Sequence, residues 1–452
     1  MAQTVTASDA PWWRELNRYH WFVLIVAALG WLFDCLDQQI FTLSRLPAMR
    51  DLLGGASTEK AVEYGGYATS IFLVGWATGG LIFGVIGDRF GRAKTMLWTI
   101  LIYSLCTGLS ALSVGFWDFA FYRFITGLGV GGEFAVGVSL VAEVMPNRAR
   151  PYAIGLLQAL SAIGNITAAL LSILFGRLEA MEIVTSAWRP MYLVGAIPAF
   201  LAVFIRRKLK EPEKWQAAVA TRNRSELGSY TNLFKHPVWR RNALVGLALA
   251  CSGVIGLWAI GFFSADLIRS VMREGLEAKG LTGRQLSGKL SEWAGIGLIM
   301  FNLAGFFGIY SFGVLSQRIG RKPTFAISLL AAFTSTIMVF WKLSSFSDLF
   351  WMLPVMGFCQ LSLFGGYAIY FPELFPTSLR STGTSFCYNV GRFVAAVGPT
   401  ILALLTTNVF HGNLRHGGMA MCAVFLLGLF VLPFAPETKG QPLPEEEKAL
   451  LH

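Results

Sequence analysis

The sequence contains little charge. Of its 452 residues only 14% are Asp, Glu, Lys or Arg, whereas 54% are hydrophobic, and the mean hydropathy is +0.56. A chain of this length with so few polar side chains cannot cover the surface of a water-soluble globule. The composition therefore excludes a soluble globular protein and predicts an integral membrane protein.

The sequence also lacks the signatures of an enzyme. It contains no GxxxxGK[ST], HExxH or GxSxG motif. Gly127, Gly129 and Gly132 have the spacing of a dinucleotide fingerprint, but no βαβ unit surrounds them and they lie in an apolar run. In lipid, small residues at this spacing allow helices to approach closely. We therefore expect no enzyme activity and no cofactor.

Cysteine and histidine are scarce, with six and five residues. No two cysteines form a CxxC pair, and all six lie in apolar runs, where a thiol packs as a small apolar group. None of the histidines lies in the interior of such a run, since His416 stands at the very start of the last one. We therefore expect no disulfide and no metal site, and the carboxylates remain as the only carriers for a proton.

Twelve apolar stretches are long enough to cross a hydrocarbon core of about 30 Å. These predicted spans are 21–44, 65–87, 95–113, 117–145, 152–176, 190–205, 242–270, 292–316, 323–341, 348–371, 382–407 and 416–435. The first is long and has no small-residue cleavage site, so it reads as a retained helix and not as a signal peptide. The fold class predicted is an all-α membrane protein of twelve transmembrane helices.

The basic residues indicate the orientation. Most of the 37 Lys and Arg residues lie in the two tails and in the even-numbered loops between spans. Positive loops resist translocation, so both termini are expected in the cytoplasm. The net charge of +11 follows from this asymmetry and from the central loop. The basic surface therefore points to lipid and not to nucleic acid.

The chain carries an internal repeat. A polar segment, 206–241, divides the spans into two sets of six. GVIGDRFGRAK (84–94) recurs as GVLSQRIGRKP (313–323), and EVMPNRAR (143–150) recurs as ELFPTSLR (373–380) at almost the same offset. A duplicated six-helix unit is typical of secondary transporters, whose two bundles rock around a site at the membrane midplane.

The expected organisation follows from this repeat. It comprises a cytoplasmic N-terminal arm (1–20), an N-terminal six-helix bundle (21–205), a cytoplasmic central loop (206–241), a C-terminal six-helix bundle (242–435) and a cytoplasmic tail (436–452).

These motifs resemble the major facilitator superfamily over essentially the whole chain. GDRFGR, its second copy and RFITGLGVGGE carry that resemblance. PETKG (436–440) is similar to the sugar porters. FDCLD, ELFPTSLRSTG and YNVGRF are more similar to bacterial metabolite:proton symporters, which include carriers of sialic acid, lactate, nicotinate and aromatic acids. The resemblance implies a pseudo-two-fold arrangement of two bundles in a bacterial inner membrane.

The resemblance also implies a conformational latch at the repeated loop motifs, with the structural role of topology-setting arginines and a glycine turn as the alternative. In the superfamily this loop holds the cytoplasmic side closed. Gln317 replaces the aspartate in the second copy, so the latch there is expected to be weaker. The candidate latch residues are Asp88, Arg89, Arg92, Glu143, Arg150, Arg318, Arg321, Glu373 and Arg380.

Charges inside the first bundle are candidates for proton coupling. Asp34 and Asp37 are three residues apart and project from one helix face. A charge at the bilayer centre costs about 3 kcal/mol or more, and Arg123 supplies the cation these carboxylates need. Glu133 lies further along the same span as Arg123. Separating such a pair changes the proton affinity of the carboxylate, which is the basis of proton symport. The alternative is a buried pair kept for packing alone.

The resemblance favours one of the two aspartates. In sugar porters a first-span aspartate pairs with the arginine whose position Arg123 matches, and Asp37 fits that alignment better than Asp34.

Arg392 is the leading candidate for binding a substrate. It lies in the eleventh span, with Asn389 three residues earlier on the same face. A guanidinium matches a carboxylate with two hydrogen bonds, which favours an organic anion. The alternative is a salt bridge from Arg392 to the cytoplasmic half. Further lining candidates, each with packing as the alternative, are Gln158, Gln360, Trp258, Tyr367, Trp31, Tyr388, Phe262 and Phe263.

The function predicted is proton-coupled import of a small organic acid by a monomer in the lipid bilayer. A sugar or polyol symporter or facilitator is an alternative within the same fold, supported by PETKG and Gln158. A nutrient sensor is a second alternative, although its long signalling extension is missing. An exporter of cationic drugs is a third, because four acids (Asp34, Asp37, Glu133 and Asp266) lie in or near spans.

Overall fold

The computed structural model describes residues 11–55, 58–180, 183–186, 188–200, 208–221, 227–257, 262–281, 283–405, 409–411 and 414–444. All regular secondary structure within these ranges is helical. The prediction of an all-α fold is therefore confirmed.

The helices of the first half follow the predicted order of spans. They are α1 (Arg18–Leu52), α2 (Thr58–Phe90), α3 (Arg92–Ser110), α4 (Phe116–Val144), α5 (Arg150–Ala159), α6 (Ser161–Ala180) and α7 (Trp188–Val194). A short 3₁₀ helix, Trp12–Glu15, precedes α1. The side chain of Asn17 accepts the backbone N–H of His20 and so caps the start of α1.

Two short helices in the central segment precede the second half. These are α8 (Glu213–Thr221) and α9 (Tyr230–Lys235). The second half consists of α10 (Pro237–Ile255), α11 (Phe262–Glu277), α12 (Gly283–Ile319), α13 (Arg321–Lys342), α14 (Phe346–Glu373), α15 (Arg380–Leu404), α16 (Leu414–Met421) and α17 (Val424–Val431).

Eight helical stretches in the described ranges are long and apolar enough to cross a membrane. They match the predicted spans 1, 2, 4, 5, 8, 9, 10 and 12. The other four predicted spans fall on α3, α7, α10 with α11, and α15. Several helices, α1 and α12 among them, continue beyond the predicted apolar run into polar residues. Hydropathy locates the part of a helix that meets lipid and not where the helix ends.

Glycines set the closest helix contacts, and the contacts repeat between the halves. A methyl group at Gly79 of α2 would overlap the carbonyl oxygen of Leu128 in α4. The equivalent Gly308 of α12 lies against the carbonyl oxygen of Phe358 in α14 in the same way. Glycine allows the two backbones to touch because it has no Cβ. The duplicated motifs therefore belong to two structurally equivalent helix sets.

The repeated loop motif forms the same turn twice. Gly91 ends α2 with φ 113°, and Gly320 ends α12 with φ 104°. Side chains rarely adopt this backbone conformation, so glycine is required at both turns. Each glycine places an arginine, Arg92 or Arg321, at the first position of the following helix. We call the end of the molecule that carries these two turns the latch face.

The two halves meet along two seams. In the first, α2 packs against α15, and in the second, α5 and α6 pack against α12. A central cavity lies between the seams.

Candidate transport site

The central cavity has a volume of about 210 Å³. Both halves of the chain contribute to its walls. The lining residues are Trp31, Cys35, Gln38, Gln39, Thr42, Trp76, Gln158, Ser161, Asn165, Leu257, Ile268, Gly297, Leu298, Phe301, Asn302, Ile309, Leu353, Leu361, Phe364, Tyr388 and Arg392. Among these residues only Arg392 carries a charge. A mostly apolar cavity with few polar groups is typical of a small-molecule site.

The guanidinium of Arg392 is held between two aromatic rings. Its Cζ lies 3.9 Å from the ring centre of Trp76 and 4.2 Å from that of Tyr388. Nη1 donates to Oδ1 of Asn389 over 2.8 Å. Only 4% of Arg392 is exposed. Among the described residues Nε has no hydrogen-bond partner, and no carboxylate lies within ion-pair distance of the guanidinium. A buried arginine without a counter-ion is a ready site for an anion.

The aromatic layer continues from Arg392 into the first half. Tyr388 of α15 stacks on Phe134 of α4, with ring centres 4.1 Å apart. Phe134 in turn contacts Trp31 of α1 at 4.7 Å. Rings from both halves therefore form one continuous wall beside the guanidinium.

The structure places Arg123 beside Asp37. Nη1 of Arg123 lies 3.4 Å from Oδ1 of Asp37, and both residues are fully buried. The Thr107 hydroxyl donates to the same carboxylate oxygen over 2.5 Å. Nη2 of Arg123 donates to Thr107 and Ser110 of α3 and to Thr126 of α4, so both helices supply hydroxyls to the pair. A buried ion pair needs such additional hydrogen bonds to offset its desolvation.

Asp34 is in a different environment from Asp37. It is fully buried, and neither of its carboxyl oxygens has a hydrogen-bond partner among the described residues. Glu133 is buried nearby, since its Oε1 occupies the space that a side chain on Gly30 would fill, one turn before Asp34. Thr99 donates to Glu133 Oε2 over 2.7 Å, whereas no described residue donates a hydrogen bond to Oε1. Neither of these carboxyl groups therefore forms an ion pair with a described residue, although the charge of Arg392 acts on Asp34.

Not every predicted substrate residue reaches the cavity. Gln158 lines it, and its buried Oε1 has no hydrogen-bond partner in the part of the chain that the structure describes. Asn389 lies behind Arg392 and orients it. The other candidates fall elsewhere. Gln360 donates to Thr336 within the second half, Tyr367 donates to the carbonyl of Leu249, and Trp258 lies outside the described residues. The side chains of Phe262, Phe263 and Asp266 are also outside the description.

The first copy of the latch motif joins the two halves at the latch face. Nη2 of Arg92 lies 2.8 Å from Asp88 and 3.0 Å from Glu143, and Nη1 of Arg380 lies 2.7 Å from the same Glu143 oxygen. Asp88 also accepts the backbone N–H of Thr382 over 2.8 Å, at the start of α15. A carboxylate at the start of a helix accepts hydrogen bonds from its free N–H groups and interacts favourably with the helix dipole. Buried ionic contacts therefore close this end of the α2–α15 seam.

The second copy is confined mainly to one half. Arg321 binds Glu373 through two hydrogen bonds of 2.9 and 3.1 Å. Across the seam, Gln317 donates to the carbonyl of Arg148 over 3.2 Å. Gln317, at the position that is Asp88 in the first copy, therefore makes one neutral bond across the seam, and it accepts Nη1 of Arg321 within its own half.

Three of the predicted latch arginines make no ion pair with a described residue. Arg89 donates to the carbonyl of Leu227, and Arg150 donates to that of Ala142. The side chain of Arg318 is exposed on the latch face.

The central segment also crosses the seam. The carbonyl of Leu227 accepts Nε of Arg89 over 2.9 Å, and the next residue, Gly228, donates its N–H to the carbonyl of Ser378 over 2.9 Å. Leu227 is fully buried, and Gly228 has φ 61°. Leu227 thus binds the first half and Gly228 binds the second. No sequence pattern indicated this bridge between the halves.

A pair of glutamates caps the helices that follow the latch turns. Glu211 accepts the N–H groups of Ala93 and Lys94 over 3.2 and 3.1 Å, and Glu437 accepts the first two N–H groups of α13 over 2.8 and 3.0 Å. Burial raises the pKa of Glu211, although its N–H bonds oppose the shift. Burial also acts to raise the pKa of Glu437, but backbone N–H bonds and the charge of Arg321 hold that pKa below its ordinary value.

The sequence profile of the Major Facilitator Superfamily matches residues 21–283 and 277–451. The chain belongs to this superfamily. It is a multi-pass membrane transporter and not an enzyme, as the composition and the motifs predict.

Relatives and solved structures agree with this assignment. A Haemophilus influenzae protein named for metabolite transport is 31% identical over 95% of this chain and 99% of its own length. The cis,cis-muconate transport protein of Acinetobacter baylyi is 28% identical over 95% of this chain and 97% of its own. The proton:xylose symporter XylE from E. coli covers 96% of the chain, and the chain covers 99% of XylE, with TM-score 0.76 and 18% identity. At that identity the match shows the shared fold alone.

Sequence reasoning missed several polar residues of this superfamily member's cavity. Gln38, Gln39, Asn165 and Asn302 all line it, as does Trp76 beside Arg392. The available signal was a polar side chain inside an apolar run, the same signal that identified Gln158. It did not suffice, because an apolar run on all sides of a helix does not reveal which face meets the cavity.

Proposed function

We propose that this transporter imports a small organic acid anion together with protons, by alternating access across a bacterial inner membrane. The observation that carries the proposal is Arg392, a buried guanidinium without a described carboxylate partner, which lines the central cavity. A substrate carboxylate supplies the missing counter-ion, and the two flanking rings keep the guanidinium plane fixed. The relative that carries cis,cis-muconate supports an anionic substrate.

The carboxyl groups of Asp34 and Glu133 in the first half supply the proton coupling. Asp37 remains paired with Arg123, whereas Asp34 is buried without a hydrogen-bond partner among the described residues, which favours a bound proton because a buried charge is costly. Asp34 belongs to α1 and Arg392 to α15, on opposite bundles. A proton on Asp34 leaves Arg392 available to the substrate anion, and loss of that proton gives Arg392 a competing carboxylate. Glu133 of α4, whose carboxyl group lies beside Gly30 one turn before Asp34, receives or passes on the proton.

Alternating access uses the two halves as rigid bundles. The bundles, 21–205 and 242–435, rock about the cavity, and the latch face is the cytoplasmic side, where both termini lie. The ionic contacts of Asp88, Arg92, Glu143 and Arg380 hold that side closed until substrate and proton are bound. The monomer is the transporting unit.

Proteoliposomes with an internal pH dye test the proposal. Addition of the transported acid is expected to acidify the lumen with the wild type. Arg392→Gln is expected to weaken anion binding about 10- to 100-fold, because charge-assisted hydrogen bonds are lost. Asp34→Asn, which mimics the protonated acid, is expected to keep exchange of labelled substrate but to lose uphill uptake. Asp37→Asn is expected to lose both, because it leaves Arg123 buried without its counter-ion.

Asp348→Asn is the matched control, since Asp348 caps the start of α14 away from the cavity. It is expected to transport like the wild type. Exchange of a labelled hexose by the wild type and Asp37→Asn alike, with no acid moving protons, would contradict the proposal. That result would identify a facilitative sugar carrier, which the amide side chains of the cavity also permit.

A further inference from the structure

A group of amide side chains forms the cavity wall at the second seam. Gln158 belongs to α5, Asn165 to α6 and Asn302 to α12, so the group spans both halves. Nδ2 of Asn165 donates to Oδ1 of Asn302 over 2.8 Å, and Asn302 donates to the carbonyl of Leu298 over 2.9 Å. Both polar atoms of the Asn302 amide therefore have a partner, whereas no contact among the described residues uses the carbonyl oxygen of Asn165.

Gln158 adds an unsatisfied group to this wall. It is only 3% exposed, and its Oε1 has no hydrogen-bond partner among the described residues. Leaving a buried polar atom without a partner costs about 1–3 kcal/mol. Since the atom belongs to a residue that lines the cavity, a bound molecule can supply that partner.

The amide wall lies apart from the cation. Arg392 is at the α2–α15 seam beside Trp76, whereas the amides are at the seam of α5 and α6 with α12. Within the described lining, nothing near the amides carries a positive charge. A second carboxylate placed there would be buried without a counter-ion, which is unfavourable. A hydroxyl both donates and accepts, so it satisfies amides in either orientation.

We propose that Gln158, Asn165 and Asn302 form a second subsite, which binds an uncharged hydroxyl at the far end of the substrate. The carried molecule is then a hydroxy monocarboxylate, with its carboxylate on Arg392. This assignment rests on the proposed function and narrows it. It also separates this chain from a relative that carries muconate, a dicarboxylate.

Two matched series of acids test the subsite in the purified full-length protein. One series is benzoate, 4-hydroxybenzoate and terephthalate, and the other is butyrate, 4-hydroxybutyrate and succinate. Titration calorimetry is expected to show the hydroxy acid of the better-binding series about tenfold tighter than the bare acid, as one or two added hydrogen bonds give. The diacid is expected to bind no tighter than the bare acid.

Variants locate the effect. Asn165→Leu and Gln158→Leu are expected to reduce the hydroxy-to-bare affinity ratio to about one. Thr167→Val is the matched control on α6, since Thr167 is not a lining residue and its hydroxyl donates to the carbonyl of Ile163. It is expected to keep the wild-type ratio. Should a leucine variant fail to fold, as judged by gel filtration, the affinities of the wild type for the hydroxy acid, the bare acid and the diacid still test the subsite.

The outcomes distinguish the subsite from the function on which it rests. A diacid that binds as tightly as the hydroxy acid, or a ratio unchanged in both leucine variants, overturns the subsite and leaves anion transport standing. If none of the six acids binds the wild type, the proposed function fails and the subsite fails with it.

Discussion

Arg380 donates from Nη1 to Oε1 of Glu143 over 2.7 Å, and this ion pair joins α15 of the second half to α4 of the first. Glu143 is the glutamate of the first copy of the repeated motif, and Arg380 is the arginine of the second. The converse pair does not form. Arg150 donates to the carbonyl of Ala142, and Glu373 binds Arg321 of its own half. The latch face is therefore closed asymmetrically, mainly by the first copy.

This asymmetry predicts that Glu143→Gln opens the latch face. The substitution leaves the buried charges of Arg92 and Arg380 without a shared carboxylate, and breaking a buried pair costs about 3–5 kcal/mol in the state that contains it. Hydrogen exchange measured by mass spectrometry is expected to rise in the segments 81–90 and 377–386, which face each other across the seam.

Glu373→Gln is the control for the latch. Its main bond is to Arg321 within one half, so it is expected to destabilise the protein without faster exchange in 81–90. Equal exchange in that segment for both variants would show that the Glu143 contact does not hold the seam.

Substitution by alanine is expected to have opposite effects on stability at two glycines of α4. A methyl group at Gly131 would overlap the carbonyl of Trp76 in α2, whereas one at Gly137 would meet nothing within 4 Å. Gly131→Ala is therefore expected to lower stability by about 1–3 kcal/mol through overpacking. Gly137→Ala is expected to raise it by up to about 1 kcal/mol, because alanine is the better helix former. Thermal unfolding in detergent measures both, and a similar loss in both would contradict the packing of α2 on α4.

The two capping glutamates predict opposite pH dependences. The pKa of Glu437 is lower in the folded protein than its ordinary 4.5, because backbone N–H bonds and Arg321 outweigh the effect of burial. Its charged form thus stabilises the fold above pH 4.5, and this contribution is lost as the pH falls through the lower folded value. Glu437→Gln is expected to lower Tm at pH 7, and the difference from the wild type is expected to close below pH 4.5.

Glu211 provides the contrast. Burial raises its pKa, so its contribution to stability is present at low pH and is lost as the pH rises through the raised value. Glu211→Gln is expected to exceed the wild-type Tm at pH 7 and to match it in acid, where the wild-type carboxyl group is protonated. Unfolding scans from pH 4 to 8 measure both variants, and parallel curves would contradict the opposite shifts.

The sequence by itself determined that the protein lies in a membrane, how many apolar runs it has and that its two halves are a duplication. Each depends on properties that the composition displays directly, namely hydropathy over a span and motifs at a fixed offset. The glycines of the two turns were also predictable, because Gly91 and Gly320 hold a backbone conformation that side chains rarely adopt. The ionisable site of the first bundle was predictable as well. Asp34, Asp37 and Arg123 lie within apolar runs, where a charge is costly and therefore indicates a function.

The tertiary structure alone decided which of these charges meet. Asp34 and Asp37 share one face of α1, yet only Asp37 has Arg123 and the hydroxyl of Thr107 beside it, because α3 and α4 pack at that level. Likewise, nothing in the sequence distinguished Gln158, which lines the cavity, from Gln360, which bonds within its own half. A polar residue in a helix that is apolar on every side acquires its role only from the helices packed around it.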